Sequence, residues 1–150
     1  MIRRIESFGE HDTSETAAEL ARNSQKGDIY ALIGDLGAGK TAFVKGFAAG
    51  LGIDEPVASP TFTILQIYES GRMPLYHFDI YRIGDPSEMD EIGYEDCFYG
   101  EGVSLVEWAD RVRDIFPENT TTVKIDKDLT KGDDYRIITI ESRKDEDNSH

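Results

Sequence analysis

Gly34-Asp35-Leu36-Gly37-Ala38-Gly39-Lys40-Thr41 is the stretch on which the fold turns. It fits the pattern Gly, four residues, Gly, Lys, then Ser or Thr, in which each residue type has a physical task. Glycines at 34, 37 and 39 allow backbone conformations closed to other residues. They also let successive N–H groups approach phosphate oxygens with no side chain in the way. A helix starting at this point adds the partial positive charge of its N-terminus. Lys40 then reaches the β and γ phosphates and the Thr41 hydroxyl ligates magnesium. The pattern needs a buried strand before it and an amphipathic helix after it. Asp28-Ile29-Tyr30-Ala31-Leu32-Ile33 reads as the strand. Ala42, Phe43, Val44, Phe47, Ala48, Ala49 and Leu51 recur at helical spacing, and Gly50 and Gly52 supply the terminator. The ligand these residues call for is a purine nucleoside triphosphate with Mg2+.

Outward from this unit, residues 2–8 suggest a first strand. Asp12, Thr13 and Ser14 offer N-cap types for a helix that carries Ala17, Ala18, Leu20 and Ala21 and stops at Lys26-Gly27. Residues 62–68 and 75–81 read as a hairpin around Ser70-Gly71-Arg72. Pro86-Ser87-Glu88 starts a short helix, and 93–102 is an irregular acidic and aromatic stretch. Val103-Ser104-Leu105-Val106 gives a buried strand ending in Glu107, and a helix over 108–116 is stopped by Pro117. Two last strands are expected over 121–126 and 135–141, joined by a polar loop with Lys131-Gly132-Asp133. The predicted fold is α/β: a single P-loop NTPase-like domain, 1–141, with a mixed parallel and antiparallel sheet flanked by helices. The charged tail 142–150 has nothing apolar to bury and is expected to be disordered.

Composition narrows the function. Thirty acidic residues against sixteen basic ones give a net charge of −14. Such a field repels a polyanion, so an extended grip on nucleic acid is disfavoured. A small polyphosphate can still be held at short range by backbone donors, one lysine and a divalent cation. No apolar run approaches the ~20 residues that cross a bilayer. The basic start Met1-Ile2-Arg3-Arg4 lacks an apolar segment behind it, so a cytoplasmic, membrane-free protein is expected. The one cysteine, Cys97, reads as a small buried hydrophobe.

A P-loop enzyme also needs an acid on the metal side. Glu107 ends an apolar strand and would project at the carboxyl edge of the sheet, where phosphates lie; the alternative is a solvated acid capping the helix after it. Asp79, flanked by Phe78 and Ile80, is either a carboxylate with a partner such as magnesium or Arg82, or faces water from an edge strand. His77 shares its alternation parity and reads as a packed or hydrogen-bonded histidine rather than a ligand. Lys40, Glu107 and Asp79 are thus the candidate catalytic residues. A P-loop kinase acting on a small molecule is the alternative to an ATPase, although the chain has no obvious basic lid or acceptor-binding segment.

Gly34–Thr41, then Ser59-Pro60-Thr61-Phe62-Thr63, His77-Phe78-Asp79-Ile80-Tyr81-Arg82 and Val106-Glu107-Trp108, in this order and spacing, closely resemble the TsaE family of tRNA threonylcarbamoyladenosine biosynthesis. The resemblance runs from about residue 2 to residue 141. It implies a small P-loop ATPase that hydrolyses ATP slowly by itself and works with TsaB and TsaD, meeting tRNA only through that assembly. It implies that Gly37, Ala38, Gly39, Lys40, Thr41 and Ala42 contact the nucleotide, with Thr41 and Glu107 on magnesium and Asp79 nearby. Ser59, Pro60 and Thr61 resemble the family's switch-like loop, or form a plain turn before a strand. Trp108 and Arg136 are nominated beside the nucleotide by the resemblance alone. Ala42 stands where many relatives have Thr, and Ile80 where they have Leu.

Overall fold

The structure is a computed structural model that describes residues 2–34, 39–57, 64–81, 85 and 87–142. Its strands are β1 (Ile2–Ser7), β2 (Ile29–Ile33), β3 (Leu65–Tyr68), β4 (Leu75–Asp79), β5 (Val103–Glu107), β6 (Thr121–Lys127) and β7 (Arg136–Glu141); its α-helices are α1 (Glu10–Arg22), α2 (Lys40–Gly50), α3 (Glu88–Glu91) and α4 (Tyr94–Phe98). The strands form one sheet in the order β1-β7-β6-β2-β5-β4-β3. Its centre is parallel: β2 lies between β5 and β6, and β4 continues beside β5. Its flanks are antiparallel, β3 on β4 at one side and β7 and β1 beyond β6 at the other. This is the mixed α/β sheet expected from the sequence.

Helices cover both faces of the centre, which is why β2 is an almost unbroken apolar run. Tyr30, Leu32, Leu105 and Val123 pack with Phe43 and Phe47 of α2 and Ala17 and Ala21 of α1. Ile29, Ala31, Phe78 and Val106 face the other way, onto Met89, Phe98, Ala109 and Val112. The alternation along β4 and β5 therefore turns His77, Asp79 and Glu107 toward the face that carries α2, since they share parity with Leu75, Val103 and Leu105.

α1 and α2 are held unusually close by two glycines of α2. A Cβ at Gly46 would collide with the Ser14 carbonyl and lie 2.7 Å from the Ser14 Cα, and one at Gly50 would lie 2.8 Å from the Ala18 Cα. Gly46→Ala is accordingly expected to cost about 1–3 kcal/mol through overpacking. In thermal unfolding it should lower Tm by several degrees. An unchanged Tm would mean that the two helices separate freely.

Three expectations need correction. The helix foreseen over 108–116 is a 3-10 segment, Ala109–Ile115, because the left-handed turn at Trp108 (φ 62°) enters it and the non-helical backbone of Val112 (φ −136°, ψ 45°) breaks it in the middle. The stretch foreseen as irregular over 93–102 contains α4, because Phe98 and Cys97 are buried and Phe98 rings pack on Phe78, Tyr94 and Phe116. Tertiary packing overrides the polar local composition there. α1 starts at Glu10, ahead of the proposed cap residues. Asp12 takes the Phe8 N–H from within the first turn, and Thr13 pairs with the Ser7 hydroxyl. The tail 143–150, and strand residues 62 and 63, lie outside the described residues. Among those described, no helix is long and apolar enough to cross a membrane.

Candidate functional site

β2 delivers the chain to Gly34, and α2 takes it up again at Lys40 with Gly39 as its N-cap. Gly39 has φ 101°, a left-handed conformation that a side chain would strain. No acidic residue and no side-chain cap hydrogen bond occupies the first turn of α2, and its first helical bond runs from the Phe43 N–H to the Gly39 carbonyl. Thr41 is exposed and Ala42 half-buried at that end. Lys40 is 6% exposed. Its Nζ donates to the Gly34 carbonyl at 2.6 Å and lies 3.3 Å from the centroid of the Trp108 ring. The ammonium thus folds back over the start of its own loop and against an aromatic face, an attraction that strengthens where water is excluded. Gly37 and Ala38 of the loop, the segment Ser59, Pro60 and Thr61, and Arg82 lie outside the described residues.

Opposite the lysine stand two carboxylates. Asp79 and Glu107 are register partners across the parallel β4–β5 pair. Glu107 is 3% exposed, which removes the reading of a solvated cap. Its Oε2 lies 2.6 Å from Nε2 of His77, which is itself 0% exposed. His77 is therefore the hydrogen-bonded histidine expected, with a specific partner thirty residues further on. Asp79 does not sit on an edge strand, because β3 and β5 flank β4; that alternative falls too. Its carboxyl is pushed above its ordinary range, first by burial and then by the charge of Glu107, while the Tyr81 N–H, His77 and Lys40 pull in the other direction. The Tyr81 amide donates to its Oδ1 at 3.2 Å.

The Asp79 shift carries a stability consequence. A carboxyl whose folded-state pKa is raised binds its proton more tightly when folded, so the unfolded chain ionises first as pH rises. Stability is then lost from the ordinary carboxylate range up to the raised value and stays lost above it. Asp79→Asn is therefore expected to raise Tm at neutral pH, with the gain vanishing in acid where Asp79 is protonated in both states. Thermal unfolding at pH 7 and pH 3 checks this, and equal gains at both would refute it.

Trp108 is the only non-glycine residue with positive φ (62°) among those described, an uncommon conformation for a bulky side chain. It turns the chain directly after Glu107 and sets the indole against both Lys40 and Tyr81, the latter at 4.8 Å between centroids. The structure thus gathers Lys40, Asp79, Glu107, Trp108, His77 and Tyr81 at the carboxyl end of the parallel strands. Sequence reading missed Tyr81. Its signal was its place two residues after Asp79. Arg136 stands apart: it starts β7, opposite Lys127 and Ser7, with β6 between it and β2, and its guanidinium donates to the carbonyls of Asp133 and Tyr135. A cavity of about 300 Å³ lined by Ala31, Ile33, Ala109 and Phe116 lies on the sheet face away from α2 and contains none of the nominated residues.

Residues 8–137 match the family described as threonylcarbamoyl adenosine biosynthesis protein TsaE. The protein of that name from Bacillus subtilis (strain 168) is 47% identical over 128 residues, 85% of this chain and 78% of that one. Its counterpart from Treponema pallidum (strain Nichols) is 43% identical over 137 residues, 91% of this chain and 98% of that one. Among solved structures, the crystal structure of YdiB from Bacillus subtilis matches with a TM-score of 0.81 at 35% identity, covering 99% of this chain and 90% of that one. The architecture is an α/β P-loop NTPase-like fold.

Proposed function

The chain belongs to the TsaE family of tRNA threonylcarbamoyladenosine biosynthesis proteins, and from that premise we propose that it is a cytoplasmic, magnesium-dependent ATPase of that modification machinery, working with TsaB and TsaD. The observation that carries the reading is the convergence of Lys40 at the start of α2 with Asp79 and Glu107 from adjacent parallel strands. The backbone of residues 37–42 and Lys40 would hold the phosphates, with Trp108 and, at the far end of the same sheet edge, Arg136 toward the nucleoside. Ser59, Pro60 and Thr61 would form a loop that responds to the γ-phosphate.

The donor set suits a hard divalent cation. A threonine hydroxyl and two carboxylates are oxygen ligands of the kind magnesium takes, and the Asp79 carboxyl is raised by burial and, after it, by the charge of Glu107, both of which a cation at this place would offset. Thr41, Glu107 and Asp79 would hold it. When bound, magnesium supplies neutralisation of charge building on the β and γ phosphates. Lys40 exchanges its Gly34 carbonyl and Trp108 ring for phosphate oxygens. Glu107, buried and held by His77, would also orient the attacking water. The net charge of −14 discourages direct tRNA contact, which would fall to the partners.

Phosphate release from ATP, measured with and without TsaB and TsaD, tests this. Slow release to water by the protein alone, accelerated by the partners, is expected. Transfer of the phosphoryl group to a metabolite hydroxyl would instead make it a kinase, and no release under either condition would leave only a nucleotide-gated binding module.

A further inference from the structure

We infer that His77 is a positioning residue for Glu107: its Nε2–H holds one carboxylate oxygen so that the other faces the reaction in a fixed rotamer. The inference rests on the proposed ATPase reading, which gives Glu107 its task. A buried carboxylate is costly unless it is hydrogen-bonded, and here the bond comes from a side chain on the neighbouring strand at 2.6 Å, with both groups under 5% exposed. Nδ1 of His77 is buried with no hydrogen-bond partner among the described residues. A proton on that nitrogen would be an unsatisfied donor, so the arrangement is best met with the ring proton on Nε2, donating to Oε2 of Glu107. His77 occupies Oε2 alone. Oε1 remains for the cation's shell or the attacking water.

The rest of the surroundings agrees. Parallel register sets Asp79 directly beside Glu107 and His77 one pleat back on the same face, so the histidine supports the acid from below while Asp79 flanks it. A group that holds a catalytic carboxylate in this way resembles the outer partners of metal ligands, whose loss typically lowers affinity or activity by about 10–100-fold.

The test compares glutamine, asparagine and leucine at position 77. A glutamine amide nitrogen reaches about as far as Nε2, whereas the shorter asparagine stops near Nδ1. His77→Gln is expected to keep kcat within about threefold, and His77→Asn and His77→Leu to lose about 10–100-fold in kcat with ATP affinity by calorimetry changed less than about threefold. Should the leucine variant not fold, the Gln and Asn pair decides. A second readout needs no turnover: 15N NMR of the nucleotide-free protein, which has three histidines, should show one slowly exchanging imidazole Nε2–H that disappears in Glu107→Ala. Equal kcat in the Gln and Asn variants, or no protected imidazole proton, overturns the role of His77. Absence of turnover in the unmodified protein would instead overturn the hydrolytic reading, leaving the NMR signal to decide the hydrogen bond.

Discussion

Alanine in place of Lys40 is expected to abolish ATP turnover and to weaken nucleotide binding by at least ~100-fold, the loss of two charge-assisted hydrogen bonds of about 1.5–3 kcal/mol each. The fold should survive the change. In the nucleotide-free protein Lys40 contributes a hydrogen bond to the Gly34 carbonyl and a cation–π contact with Trp108, worth about 0.5–2 kcal/mol apiece. Trp108 is the single tryptophan and so reports the exchange directly. In the unmodified protein its fluorescence should change when the ammonium leaves the indole for a phosphate, and in Lys40→Ala the same titration should be flat. Turnover within tenfold of the unmodified protein would show that this lysine does not hold the phosphates.

Glu107 should separate binding from chemistry. Glu107→Gln is expected to leave ATP affinity within about tenfold while phosphate release falls by ~10²–10³-fold, the size of effect seen when one electrostatic partner of a transition state is removed. Glutamine is the informative replacement because its carbonyl still accepts from His77. Alanine would leave the imidazole buried with neither nitrogen paired, at a cost of about 1–3 kcal/mol, and would confuse a folding defect with a catalytic one. Phosphate release and Tm measured together distinguish the two: a large fall in the first with little in the second is the expected outcome. Unchanged release in Glu107→Gln would move the metal-side role to Asp79.

The core of this arrangement was legible in the sequence because periodicity changes there. A five-residue apolar run, a glycine loop and a 3.6-residue repeat follow one another between Ile29 and Leu51, and only a buried strand feeding a helix satisfies all three. Glu107 was legible for the same reason, as the first charge after a buried strand. What alternation cannot supply is register. It placed His77 and Asp79 on one face, but which of them meets Glu107 depends on how β4 slides along β5, and the partners are thirty residues apart. The left-handed turn at Trp108 was invisible because no glycine announces it; it is fixed by ring contacts with Lys40 and Tyr81. α4 was hidden by acidic surface residues that say nothing of Phe98 beneath. Arg136 was nominated by resemblance alone, and the structure places it across β6 from β2, donating to the carbonyls of Asp133 and Tyr135.

Titration calorimetry of the folded protein with ATP and magnesium tests the central claim most directly. The account predicts saturable heat at one nucleotide per chain, lost in Lys40→Ala and retained in Glu107→Gln. No heat from ATP or ADP on well-folded protein with magnesium present would contradict it.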